Sequence, residues 1–239
     1  MKAYKKEYDY TYTSGAYATI EMLEAKPGAA KKIYIHPNFV DKRLIRLCKD
    51  LGVEHERNHA VFRKLNQKEN SYVLGVFAKY SAKLNNDLPH VVLVNPADMG
   101  NLGTIIRTLV GFGITNLAII TPAADIWNPK VIRASMGAFF RINIEHFSSF
   151  DEYRKRFTGH HIFAFMLDGE LVLNDGNFPG RHCPYSLVFG NEATGLPDVF
   201  KYIGTGVKLP QSSSVDSLNL SVAVGVGAFI FSQLHRKGE

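Results

Sequence analysis

At 239 residues and 26.7 kDa, with 46% apolar residues, the chain suffices for one large domain or two modest ones around a proper core, which excludes a disordered or fibrous protein. Its two cysteines, Cys48 and Cys183, lie far apart with no C-x-x-C spacing, so neither a disulfide framework nor a cysteine zinc site is supported, and a reducing, cytoplasmic setting fits. The net charge of +6 is unevenly placed: residues 1–88 carry 16 Lys and Arg against 10 Asp and Glu, whereas residues 89–239 carry 12 of each.

Clustered cations attract phosphates over a Debye length of about 10 Å. The asymmetry therefore suggests a polyanion-binding module attached to a neutral one, although a solvated basic surface would carry the same charge. In chain order, residues 1–12 are rich in Lys and Tyr and lack the apolar core of a secretory signal. Tyr4, Tyr8, Tyr10 and Tyr12 alternate with basic residues and could stack on unpaired bases, although a disordered or dimer-packed tail is the commoner fate of such a terminus; of the cations that run from Lys2 to Lys68, some seek phosphates and some are ordinary surface charge. The spacing predicts a strand over 33–35, an amphipathic helix over 40–51 closed by Gly52, and a strand over 73–78, together a small α/β unit.

Residues 79–89 are polar and end in Pro, which places a domain boundary there and divides the chain into 1–88 and 89–239. Short apolar runs at 91–94, 117–120, 162–167, 187–189 and 207–209 follow, separated by helix-length segments. Runs without polar alternation suit strands covered on both faces. The second part is thus predicted as an α/β domain with a mostly parallel sheet and a ligand site outside the carboxyl ends of its strands. A last helix is predicted over 218–235. Its apolar stretch, 222–231, is ten residues, short of the roughly 18 that span a bilayer.

Three loops could carry chemistry. The first, 95–103, leads into a helix over 104–111 and offers Gly100, Gly103 and Asn101, with Arg107 one turn inside that helix. The second, 189–197, sets Glu192 between two glycines. The third, 209–223, is long and polar and runs into the last helix, where Ser217 and Asn219 could serve as caps. Each alone is also compatible with an ordinary turn. No P-loop, Rossmann fingerprint or G-x-S-x-G occurs, and the nine His residues form no H-x-x-x-H pair on a plausible helix, so no metal site is predicted. His160 and His161 are placed at a strand entrance.

Taken together and in this order, Asn101-Leu-Gly-Thr-Ile-Ile-Arg-Thr108, Phe189-Gly-Asn-Glu-Ala-Thr-Gly-Leu196 and Leu209-Pro with Ser217-Leu-Asn-Leu-Ser-Val-Ala223 resemble the three motifs of the SpoU (TrmH-like) RNA 2′-O-ribose methyltransferases of the SPOUT superfamily. Arg133-Ala-Ser-Met-Gly-Ala138 also resembles the family's sequence. The resemblance covers residues 88–239 well and the first part loosely, where it is similar to the small ribosomal-protein-like RNA-binding domain of many relatives. Met99 departs from the usual Pro after the first motif's Asp, here Asp98, and Val73-Leu-Gly-Val76 stands where relatives carry Gln-Gly.

This resemblance implies a deep trefoil knot in the second domain, an exception to the rule that chains do not thread loops, and S-adenosylmethionine bent between the second and third loops. Gly190 would leave room for the nucleoside, the backbone at Leu209 and Leu218 would hold the adenine, and Ser217 would shape the third loop. Arg107 would be the catalytic arginine. Its guanidinium, with a pKa above about 12, cannot act readily as a base, so it would grip the neighbouring phosphate and orient the hydroxyl. Asn101 and Asn219 would fix loop geometry and the attacking ribose, and Glu192 would orient Arg107 or the RNA. The implied partners are structured RNA, ribosomal ahead of transfer RNA, and a second copy of the chain; the last helix, apolar on nearly all sides over 222–231, suits either such a dimer or burial in its own subunit, with Gly225 and Gly227 permitting close packing despite a propensity cost of about 1 kcal/mol each. A protein that keeps the fold and binds RNA without catalysis is the competing expectation.

Overall fold

A computed structural model describes residues 1–65, 71–173 and 184–236; Lys68 and Cys183 lie outside the described residues. By contact the chain forms two compact units, Met1–Tyr80 with Asp125–Arg141, and Ser81–Ala124 with Ile142–Glu239. Residues 125–141, which a cut at residue 88 assigns to the second domain, group with the first unit.

The first unit begins with β1 (Tyr10–Ser14), α1 (Ala16–Ala25), β2 (Ala30–Ile35), α2 (Lys42–Asp50), β3 (His55–Arg57), α3 (His59–Lys64) and β4 (Val73–Ala78). Its sheet order is β1-β4-β2-β3, with β2 and β3 parallel and the other pairs antiparallel. The α2 helix follows from an apolar spacing of four: Leu44 and Cys48 are both fully buried, and Asp41 caps it by accepting from the Arg43 N–H at 2.7 Å. Burial also pushes the Cys48 thiol upward, as expected of an inert core cysteine.

The N-terminal tyrosines do not form the expected stacking surface. Tyr12 is buried, the Tyr4 hydroxyl donates to Asp125 at 2.5 Å, and Tyr8 and Tyr10 stack on each other at 5.2 Å. Tyr10 and Tyr12 lie on β1, which pairs with β4 along its whole length, and Tyr4 and Tyr8 make their contacts from the segment before it.

The second unit takes β5 (His90–Val94), α4 (Met99–Gly111) and β6 (Asn116–Ile120); the chain then contributes α5 (Pro129–Ala134) to the first unit. It returns with β7 (Asn143–Phe147), α6 (Phe150–Arg156), β8 (His161–Phe165), β9 (Leu171–Val172), β10 (Tyr185–Phe189), β11 (Thr205–Lys208) and α7 (Leu220–Arg236). The result is a seven-stranded sheet, parallel throughout, in the order β7-β6-β5-β10-β8-β11-β9. Every residue of β5, β6 and β10 is buried, which is why these runs show no polar alternation. His161 opens β8, as its place in the sequence suggested.

Two helices differ from their sequence reading. α4 starts at Met99 rather than 104, because Asp98 accepts the Asn101 N–H at 2.7 Å and so nucleates the helix five residues earlier. α7 is covered on one side only: it packs on α4 and β10, while Val222, Val226 and Phe229 remain 49%, 39% and 48% exposed. Gly227 serves packing inside the chain, since a Cβ there would come within 2.8 Å of the Phe165 ring and 3.1 Å of Phe189. Gly225 faces only the Thr108 methyl at 3.5 Å. Among the described residues no helix is long and apolar enough to cross a membrane.

Candidate active site

The carboxyl ends of β5, β8, β10 and β11 lie at one end of the parallel sheet, and the loops that leave them converge. The loops after β8, β10 and β11 line a cleft of about 470 Å³, within the range of small-molecule sites, and the loop after β5 adjoins it. Its walls include Phe165, Leu196, Leu209, Leu218 and Leu220 on the apolar side, and Glu192, Gln211 and Ser217 on the polar side.

At the end of β5 the chain turns through Asn95, whose φ of 54° is the left-handed conformation that Asn tolerates better than most residues. The second loop is tied to that turn: Asn191 Nδ2 donates to the Asn95 carbonyl at 2.8 Å, while Asn191 Oδ1 accepts from Ala193 N–H at 2.9 Å and its carbonyl from Gly195 N–H at 2.9 Å. Gly190 is required by this folding-back. A Cβ on it would collide with the Gly195 carbonyl and the Leu196 N–H, so its lack of a side chain lets the loop close on itself at the wall of the cleft.

Glu192 clamps the first loop. Its carboxylate accepts from the backbone N–H groups of Ala97 and Asp98, both at 3.0 Å, and from Asn101 Nδ2 at 3.4 Å. Burial alone would raise this carboxyl, but the backbone hydrogen bonds led by Ala97, together with the Asn101 amide, outweigh it and hold the group below the usual carboxylate range. Both oxygens are therefore occupied with positioning the first loop, and Glu192 does not orient Arg107.

Asn101 in turn accepts from Asn219 Nδ2 at 3.0 Å, so the sequence Glu192, Asn101, Asn219 joins all three loops through side chains. Asn219 also caps α7, its Oδ1 accepting from the Ser221 N–H at 2.9 Å. Arg107 stands on α4, six residues past Asn101, exposed and without an ion pair or hydrogen bond among the described residues. It is a cation with no internal partner, free to meet an external anion.

Of the residues singled out from the sequence, Gly190, Glu192, Leu209, Ser217 and Leu218 line the cleft; Asn101 and Asn219 adjoin it through Glu192. Neither Leu209 nor Leu218 uses its backbone N–H in a hydrogen bond among the described residues, so both donors are open to a ligand. Sequence reasoning missed Asn191, although an Asn four residues before a Gly is itself a turn signal. It also missed the rim, where Lys201 bridges Asp198 at 2.8 Å and Asp168 at 2.5 Å; no local pattern joins Lys201 to a residue 33 positions before it.

A family model described as the SpoU rRNA Methylase family matches residues 89–229. The chain is 29% identical over 143 residues to a putative tRNA (cytidine(34)-2′-O)-methyltransferase of Listeria monocytogenes, covering 59% of this chain and 84% of that one. It is also 29% identical over 188 residues to an uncharacterized tRNA/rRNA methyltransferase of Synechocystis, covering 69% and 68% respectively. Among solved structures, an AdoMet-bound rRNA methyltransferase from Sinorhizobium meliloti superimposes with a TM-score of 0.79 at 26% identity, covering 94% of this chain and 87% of that one.

Proposed function

The chain belongs to the SpoU rRNA methylase family, and on that premise we propose how it works as an RNA 2′-O-ribose methyltransferase that uses S-adenosylmethionine. The observation that carries this reading is the side-chain link from Glu192 through Asn101 to Asn219, which ties the first loop to the second and third loops that line one cleft of suitable size. The cleft fits the cofactor chemically as well: leucines for an adenine face, open backbone donors at Leu209 and Leu218 for its edge, and Ser217 beside them.

S-adenosylmethionine supplies a sulfonium methyl open to in-line attack. The ribose hydroxyl is a poor nucleophile, so the chain's part is to place it and manage its proton. Arg107 holds the phosphate next to the target ribose and turns the hydroxyl toward the cleft; the proton leaves to that phosphate, since a guanidinium is not a base at neutral pH. Glu192, kept ionised and enclosed by N–H donors, is neither the acid nor the base. Asn101 and Asn219 position the ribose and keep the first and third loops in register.

The trefoil knot implied by the family agrees with a sheet in which β10 is inserted between β5 and β8, followed by a return of the chain to α4 through α7. The exposed stripe of Val222, Val226 and Phe229 suits a second copy of the chain, because a monomer gains nothing from apolar residues at i, i+4 and i+7 in water. Light scattering should give twice 26.7 kDa at micromolar concentration. The first unit supplies RNA affinity and target choice, in the cytoplasm. Ribosomal RNA is favoured because the solved rRNA methyltransferase from Sinorhizobium meliloti superimposes on 94% of this chain, first unit included, whereas a solved structure concerned with 2′-OH methylation of C/U34 on tRNA superimposes on 65%.

Purified protein with labelled S-adenosylmethionine and total RNA tests this reading. Digestion should release 2′-O-methylated nucleosides; label confined to a base would overturn it. Cofactor binding by calorimetry separates an enzyme from an RNA-binding protein that has lost catalysis.

A further inference from the structure

Resting on the RNA-directed activity above, we propose that the first unit captures an unpaired RNA base on a ring surface formed by His36, His59 and Tyr72, at the carboxyl end of β2 and β3. The His36 imidazole lies 4.9 Å from His59 and 5.4 Å from Tyr72, and buried Phe62, also 5.4 Å away, ties the group to the core. His59 and Tyr72 are exposed and His36 is half-buried. His59 and Tyr72 are therefore accessible to a planar ligand, with His36 as their support.

The surface is held rigid before any ligand arrives. Arg57 Nη1 donates to the carbonyls of Pro37 at 2.8 Å and Phe39 at 3.1 Å, the Asn38 N–H donates to His36 Nδ1 at 3.2 Å, and the His36 N–H donates to the Tyr72 carbonyl at 2.8 Å. Rings so fixed lose little entropy when a base stacks on them.

Charge favours a polyanion at the same place. Arg63 lies four residues after His59 on α3, on the same helix face, and Lys64 follows it. Both are exposed and make no ion pair among the described residues. The neighbouring carboxylate, Glu56, is already neutralised by Lys32 at 3.0 Å and accepts from Asn58 Nδ2 at 2.9 Å. Fixed rings beside unpaired cations match a single-stranded nucleotide, whose base offers a π-face and whose phosphate offers charge. Paired RNA keeps its base faces stacked inside the helix. The N-terminal tyrosines, which the sequence suggested for this task, are engaged elsewhere.

The full-length chain with a single-stranded RNA oligonucleotide carrying 2-aminopurine tests the proposal. Binding to the wild type should quench the fluorophore. The double variant His59→Ala with Tyr72→Ala should bind about tenfold more weakly or worse and lose the quench, with S-adenosylmethionine affinity unchanged, and Phe at both positions should restore stacking. Arg63→Ala with Lys64→Ala should flatten the salt dependence by about 0.7 in log–log slope per lost phosphate contact. If the wild type methylates RNA and the alanine double variant binds and quenches equally well, the ring surface is not the site. If the wild type neither methylates nor binds RNA, the RNA reading fails and this proposal with it.

Discussion

Asn219 donates its side-chain N–H to Asn101 Oδ1 at 3.0 Å, a contact between residues 118 positions apart. The same Asn219 caps α7 through its own Oδ1. One residue thus starts the last helix and fixes that start against the first turn of α4, so the third loop cannot shift without disturbing the first.

These two roles separate by substitution. Asn219→Ser retains a capping oxygen but is too short to reach Asn101; it should keep near-native stability toward urea while weakening cofactor affinity and turnover. Asn219→Ala should lose about 1 kcal/mol more in stability, the worth of a helix cap. Equal stability in both variants would show that the cap contributes nothing.

Arg107→Ala should leave stability unchanged, because the side chain is exposed and has no partner among the described residues. Methyl transfer should fall at least about 100-fold, or about 2.7 kcal/mol, the scale of a lost charge-positioning group, with cofactor affinity nearly native. Near-native turnover in single-turnover assays would remove Arg107 from the mechanism.

Gly190→Ala sets a methyl group against the Gly195 carbonyl, backbone that cannot yield without opening the loop. Calorimetry should show cofactor binding reduced at least tenfold, and the amide protons of Ala193 and Gly195 should exchange faster as their bonds to Asn191 are lost. Unchanged exchange would place the effect in the cleft rather than in the loop.

At the other end of the second unit's sheet, His90 is fully buried, with Nε2 at 2.8 Å from the Asn85 carbonyl and Nδ1 at 2.8 Å from the Tyr153 hydroxyl. Burial, the largest influence, depresses it from 6.5 to about 4. The unfolded chain therefore takes up this proton first as pH falls. Its contribution is fully present above pH 6.5 and is lost between pH 6.5 and about 4, by about 3 kcal/mol in all. Urea midpoints measured from pH 7.5 to 4.5 should decline accordingly, and His90→Gln should make the decline shallower.

The sequence by itself determined the interior of both sheets. β2, β4, β5, β6, β8, β10 and β11 were all legible as apolar runs, and these are the seven strands with a neighbour on each side. The four that were not, β1, β3, β7 and β9, are the four edges. An edge strand can leave one side in water, so His55-Glu56-Arg57 or the two residues of β9 need no apolar run, whereas β1 was hidden because its buried positions include Thr11 and Thr13. The motif residues were likewise visible, since each lies within a short loop of distinctive composition. What they do for one another was not. That Glu192 holds the first loop follows from β10 entering the sheet beside β5, that Asn219 meets Asn101 follows from α7 packing on α4, and that Gly190 must accommodate backbone follows from its loop folding back on itself. Strand order depends on contacts between residues far apart in the chain, which local periodicity does not encode; only the folded sheet brings those three loops to one end.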